Sequence, residues 1–156
     1  MRLILILALL AAASSTAFPQ TGARKHPVET FFMEGIRAFN AHDLDEFMKQ
    51  FADDLQMYAV DRGVWLRGKA AVRQRFVETF RQFPSARMEI EDLRVRSVAR
   101  NVAVVDFKFR TYPLGTGPAF HGVGSGVYVL RRGRWVEVLE HESITSIDEG
   151  LRRGGK

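Results

Sequence analysis

No cysteine occurs anywhere in the 156 residues of this chain. That excludes a disulfide framework, a thiol nucleophile and a lipid-anchored cysteine, so the fold must rest on its core. Apolar residues run together from Leu3 to Ala13, about eleven residues, which is too few to span a bilayer. The four histidines, His26, His42, His121 and His141, stand apart and show none of the spacings that set two ligands on one helix face, so no metal and no cofactor are implied. The stretch Gly63-Val-Trp-Leu-Arg-Gly68-Lys69-Ala70 resembles a phosphate loop but has alanine where the magnesium-holding Ser or Thr belongs, which leaves Lys69 to a helix surface. The net charge of +5 is carried by scattered residues apart from Arg131-Arg132-Gly133-Arg134 and the end Arg152 to Lys156. Neither cluster has the interleaved aromatics of a nucleic-acid reader, and both read as a solvated turn and a tail.

What is present begins with a leader-like start. Arg2, the apolar run and Ser14-Ser-Thr-Ala17 supply a charged end, a short hydrophobic region and small residues before a cleavage site. Residues 1–17 are therefore expected to be a signal peptide, 18–25 a polar linker, 26–147 the domain and 148–156 a flexible basic tail. The expected location is periplasmic or secreted, with no membrane span after signal removal.

Within the domain, Val28, Phe31, Phe32, Ile36 and Phe39 recur at helical spacing from Pro27 onwards. Asp43 is placed to cap a second helix with Glu46 three residues on, and that helix carries Leu44, Phe47, Met48 and Phe51 on one face, closing at Phe51-Ala-Asp-Asp54. Leu55 to Asp61 alternates as a strand. A third helix opens at Gly68-Lys69, buries Ala71, Val72, Phe76 and Phe80, and stops before Pro84. Residues 87–99, 102–112, 119–131 and 134–146 are β-branched or alternating runs joined by short turns, which predicts an antiparallel meander. The fold class expected is α+β: a strongly curved antiparallel sheet wrapped around three N-terminal helices, cone-shaped, with an opening.

The segments Ala38-Phe-Asn-Ala-His-Asp-Leu-Asp45, Phe51-Ala-Asp-Asp54, Gly68-Lys-Ala-Ala-Val-Arg73 and Gly133-Arg-Trp-Val-Glu-Val-Leu-Glu-His-Glu-Ser143 occur in an order that resembles the nuclear transport factor 2-like (NTF2-like) superfamily, in its SnoaL-like and ketosteroid-isomerase-like branch. The resemblance covers about Pro27 to Ile147. It implies an isomerase, cyclase, dehydratase or epoxide hydrolase, or a member that only binds or assembles. The positions at which steroid isomerases of this type carry their tyrosine, acid and proton-shuttling aspartate fall here on Gly35, Gly126 and Ala59. None of these can exchange a proton or donate a side-chain hydrogen bond, so steroid isomerisation by that set is excluded.

By the same alignment the last strand turns Val138, Glu140 and Glu142 inward, and the strand before it Gly122, Gly124, Gly126 and Tyr128. Asp61 shares a strand face with Ala59 and supplies a displaced carboxylate. Asp61, Glu140 and Glu142 are thus the candidate catalytic residues, because carboxylates crowded into an apolar cavity separate in pKa into an acid and a base. The other reading puts Asp61 in a turn and pairs the acids with arginines. Tyr128 is a candidate hydrogen-bonding group for a ligand oxygen, with Met57, Phe107 and Phe109 as apolar walls. The alternate glycines permit bending or leave room for a ligand. His141 falls on the outer face with Trp135 and Leu139, where two subunits would meet; a one-residue slip would turn it into the cavity. No third group completes a Ser/His/acid triad. Two functions remain: an exported binder of a small, partly apolar molecule, with or without cofactor-free acid/base chemistry, or a non-catalytic homodimeric interaction or assembly module.

Overall fold

A computed structural model describes residues 25–152 of the chain. The leader and nearly all of the linker expected at the N-terminus, and the last four residues of the tail, lie outside the described residues.

Helix α1 (Pro27–Asn40) starts where the sequence has a proline at the first helical position and a cap just before it. The His26 ring nitrogen Nδ1 accepts from the Val28 amide at 3.1 Å. Val28, Phe32, Gly35, Ala38 and Phe39 form its buried stripe. Its end is fastened to the sheet: the Asn40 side chain accepts from the Met88 amide at 2.7 Å and donates to the Met88 carbonyl at 2.9 Å. His42, with a positive φ of 55°, lies 2.8 Å from the Ala86 carbonyl and stacks on Phe80.

Asp43 caps α2 as expected, accepting from the Glu46 amide at 3.0 Å. The helix is shorter than its apolar spacing predicts. It runs only from Leu44 to Phe47, continues as a 3-10 turn over Met48–Gln50, and gives way to strand β1 (Phe51–Ala59). Phe51 therefore opens a strand instead of closing a helix. The cause is a distant partner: β1 pairs parallel with the last strand, Phe51 opposite Glu137 and Met57 opposite Glu140. A short strand β2 (Val64–Arg67), hidden inside the phosphate-loop-like stretch, folds back antiparallel on β1. Gly68, at φ 83°, then turns the chain into α3 (Lys69–Gln82).

Strands β3 (Arg87–Ala99), β4 (Val102–Tyr112), β5 (Phe120–Arg131) and β6 (Arg134–Ile147) form the predicted antiparallel meander. The six-stranded sheet has the order β2-β1-β6-β5-β4-β3, curved and unclosed, with the helices on one side. It is antiparallel except for the β1–β6 pair. From the stretch expected as a tail, Glu149–Arg152 makes one turn of helix, α4, behind Asp148, which accepts from the Ala119 amide at 2.9 Å.

Two apolar clusters flank the space between helices and sheet. One joins Phe39, Phe47, Phe51, Leu55, Met57, Val72 and Phe76; the other joins Val28, Phe32, Val105, Phe107, Phe109 and Tyr128.

Candidate functional site

The two clusters share Met88 but leave space elsewhere. Between them lies a cavity of about 600 Å³, walled by phenylalanines of α1, α3, β1 and β4 on one side and by acidic residues of β6 on the other. Its size is that of a small-molecule pocket.

Strand β6 supplies Glu137, Glu140 and Glu142 to this wall. Strict alternation cannot put 137 and 140 on one face. A bulge does so: Leu139 pairs with Val127 and Glu137 with Tyr128, which leaves Val138 as the extra residue. Val138, expected inward, is the residue the bulge takes out of register, and Glu137, not anticipated, takes the inward place. The bulge also separates Trp135 from Leu139 and His141: Trp135 packs on the helix side against the cluster of Val28 and Phe32 and lies 5.7 Å from the His26 ring.

The facing strand makes room for these acids. Glu140 sits opposite Gly126 and Glu142 opposite Gly124. A β-carbon added at Gly126 would overlap the Glu137 carboxylate, and one at Gly124 or Gly122 would overlap the ring of Phe107 or Phe109. The space left by the alternate glycines is therefore filled by the protein's own side chains. Gly35 does the same for Gln50, whose buried amide occupies the position a larger residue on α1 would need.

Of the residues anticipated from sequence, Asp61, Glu140, Glu142, Phe107, Phe109 and Tyr128 line the cavity. Asp61 does so from the turn after β1, half-exposed, bonded to the Arg75 guanidinium at 2.7 Å and close to Arg62. Met57 is only 3% exposed within the apolar cluster under α3 and does not reach the cavity. His141 is exposed on the outer face, 5.5 Å from the Tyr58 ring, opposite Ser125. Its odd parity relative to Glu140 keeps it there.

Arg75, Gln50 and Glu137 were not anticipated. Arg75 was findable: it lies three residues after Val72 and four before Thr79, on the same helix stripe. Glu137 and Gln50 had no local signal.

Burial dominates the electrostatics. Glu137 is 3% exposed; Glu140 and Glu142 keep some accessible surface, but it faces the cavity. Burial, and then the neighbouring Glu140 charge, hold the Glu137 carboxyl well above the usual carboxylate range. Burial and then Glu142 do the same for Glu140. Burial raises Glu142 as well, against the opposing pull of Arg75. Asp61 moves the other way, lowered because its Arg75 hydrogen bond and charge outweigh its partial burial. Burial drives the Tyr128 phenol well up, and the nearby Glu137 adds to it. The Tyr128 hydroxyl and Glu140 Oε2 are buried without a hydrogen bond of good geometry. A cluster with neighbouring carboxyls in different protonation states can both give and take a proton near neutrality.

A SnoaL-like domain model matches residues 28–147. No curated protein sequence matches significantly. Among solved structures, an NTF2-like protein from Pseudomonas putida KT2440 superposes with a TM-score of 0.70 at 17% identity, covering 81% of this chain and 89% of that one. A protein from Novosphingobium aromaticivorans described as a scytalone dehydratase gives 0.68 at 14% identity, covering 78% and 84%. One from Thiobacillus denitrificans described as a calcium/calmodulin-dependent protein kinase type II association domain gives 0.65 at 21% identity, covering 76% and 94%. At these identities the likeness is one of fold.

Proposed function

The chain belongs to the SnoaL-like domain family, and from that premise we propose that its cavity binds a small, partly apolar molecule and performs cofactor-free acid/base chemistry on it. The observation that carries this reading is the row Glu137, Glu140 and Glu142 on the wall of a largely phenylalanine-lined cavity, with Glu140 Oε2 and the Tyr128 hydroxyl buried without a hydrogen bond of good geometry. An inert core would not keep such groups, because each unpaired buried polar atom costs about 1–3 kcal/mol.

In this reading an ionised glutamate takes a proton from a carbon next to a ligand carbonyl. A protonated neighbour or the Tyr128 hydroxyl donates to the carbonyl oxygen, and the proton returns at another position. Asp61, held ionised by Arg75, tunes the mouth of the site. The test is deuterium incorporation from heavy water into a panel of cyclic ketones and enones, followed by mass spectrometry. Exchange is expected with the native protein and a loss of about 100-fold or more in Glu140→Gln. No exchange with any member of the panel, in either protein, would leave binding without chemistry.

A second reading has a separate observation behind it. The outer sheet face exposes Trp65, Val123 and Leu139 beside Tyr58 and His141, an apolar strip suited to pairing two copies of the domain. Dimerisation through this face is compatible with the cavity reading, and alone it would make the chain an assembly module, the role named for the Thiobacillus relative. The leader-like residues 1–17 support export of the domain. N-terminal mass analysis of the native protein should find a start near Phe18; an intact Met1 start in the exported fraction would sink that expectation.

A further inference from the structure

The charges that face the cavity do not balance. Asp61 comes from the turn after β1, Arg75 from α3, and Glu137, Glu140 and Glu142 from β6; Tyr128 of β5 is the remaining titratable group. The lining residues of α1, β3 and β4 carry no charge, and among the described residues no lysine or histidine lines the space. Arg75 is committed to Asp61 at 2.7 Å. Three further carboxyls therefore share the wall with a single cation, Arg75, which Asp61 already bonds and whose charge also reaches Glu140 and Glu142.

Their surroundings are aromatic. Phe32, Phe39, Phe47, Phe76, Phe107 and Phe109 are among the lining rings, whose faces attract positive charge. Tyr128 is fully buried and lines the cavity, and its hydroxyl and Glu140 Oε2 are buried without a hydrogen bond of good geometry, as is Arg75 Nε. A wall of carboxylate oxygens is rich in acceptors and is completed by a donor. A carboxylate or phosphate ligand would meet four acids and one arginine already bonded to Asp61. Nor do the acids converge: among the described residues no three acidic or histidine side chains are grouped to hold a metal ion.

We propose that the occupant is an organic cation, a protonated amine carried on an apolar body, with its nitrogen at Glu137, Glu140 and Tyr128 and its hydrocarbon against the phenylalanines. This rests on the binding half of the cavity reading, not on its proton transfer, and names the ligand class for that half. Binding draws the glutamates into their ionised form, so protons leave as the amine enters, and the amine is held more tightly as pH rises through the range in which these carboxyls titrate. Above the amine's own pKa the preference ends.

The test uses three probes of one length: 4-phenylbutylamine, 4-phenylbutan-1-ol and 4-phenylbutanoate, titrated calorimetrically into the full domain near pH 8 and again near pH 5. The amine is expected to bind about tenfold or more tighter than the alcohol at the higher pH, by the combined cation–π and ion-pair contributions. Its preference should shrink severalfold at the lower pH, and 4-phenylbutanoate should bind least. Two buffers of different ionisation enthalpy should report proton release for the amine alone. Glu140→Gln and Glu137→Gln should each weaken the amine about tenfold while leaving the alcohol within about twofold, which also shows that the variants are folded. An alcohol that binds as well as the amine, or an amine preference indifferent to both substitutions, overturns the cation and leaves the cavity reading standing. Absence of binding by all three probes and by a wider apolar panel overturns both.

Discussion

The two faces of β6 are made by the same strand and could hardly differ more. Inward, Glu137, Glu140 and Glu142 are enclosed against Tyr128 and the small backbone of Gly126 and Gly124; outward, Leu139 and His141 stand exposed and Ser143 is half-buried, opposite Val127, Ser125 and Val123. The acidic residues are inside and an exposed leucine is outside, the reverse of what hydrophobicity alone would choose. Fold stability does not ask for this arrangement: desolvating three carboxyls is a cost, and an apolar strip left in water gains nothing. On the reading proposed above, the inner face meets a ligand and the outer one a second copy of the domain.

The contrast can be broken most severely from the neighbouring strand. Phe109 is 2% exposed, and its ring fills the space above Gly122. Phe109→Ala is expected to cost ~3–5 kcal/mol in chemical denaturation, since it opens a void on both the core and the cavity side. A loss under about 1 kcal/mol would mean that the wall is collapsible and the cavity ill-defined.

A smaller effect with a definite sign comes from the acids. The folded-state pKa values of Glu137 and Glu140 lie above their unfolded value near 4.5, so the folded chain holds more protons than the unfolded one across the intervening range. Stability should therefore fall as pH rises from about 4.5 towards the raised values, and this part of the loss should be complete above them. Glu137→Gln or Glu140→Gln removes the ionisation and should make the domain more stable than the native chain near pH 8, by ~1–3 kcal/mol, with the advantage vanishing in acid. Denaturation midpoints measured across pH check it. An advantage of the same size at every pH would mean that packing, not ionisation, is responsible.

The least effect on folding belongs to the outer face. Leu139→Glu should change stability of the isolated domain by no more than ~0.5 kcal/mol, as exposed substitutions do. Its expected consequence is on association: light scattering should find the native domain dimeric and the variant monomeric. A native domain that stays monomeric at high concentration would remove the partner from the comparison and leave the exposed strip unexplained. Trp135→Glu is not equivalent, because Trp135 packs under α1 and its replacement would disturb the core instead.

Much of this molecule is written locally. The 3.6-residue recurrence of Val28, Phe32 and Phe39, the proline that opens α1, the Asp43 cap and the four alternating runs after Pro84 specify elements through contacts within a few residues, and such patterns survive in a bare sequence. They were enough for the α+β class and for the meander, whereas the cavity-facing assignment of Glu140, Glu142 and Tyr128 came from the family resemblance. Three decisions belonged to the tertiary structure. Phe51 satisfied helical spacing and strand parity alike, and only the parallel pairing with β6, some 86 residues on, made it a strand. Val138 carries no mark of a bulge, yet its displacement brings Glu137 into the cavity and turns Trp135 away from Leu139 and His141. Gly35 and Gln50 fit each other across α1 and the turn before β1, a complementarity between two positions that neither one announces. Sequence fixes the period of a segment, whereas its register against a distant strand depends on which pairing buries the most surface across the whole sheet, and that is settled only when every strand is present.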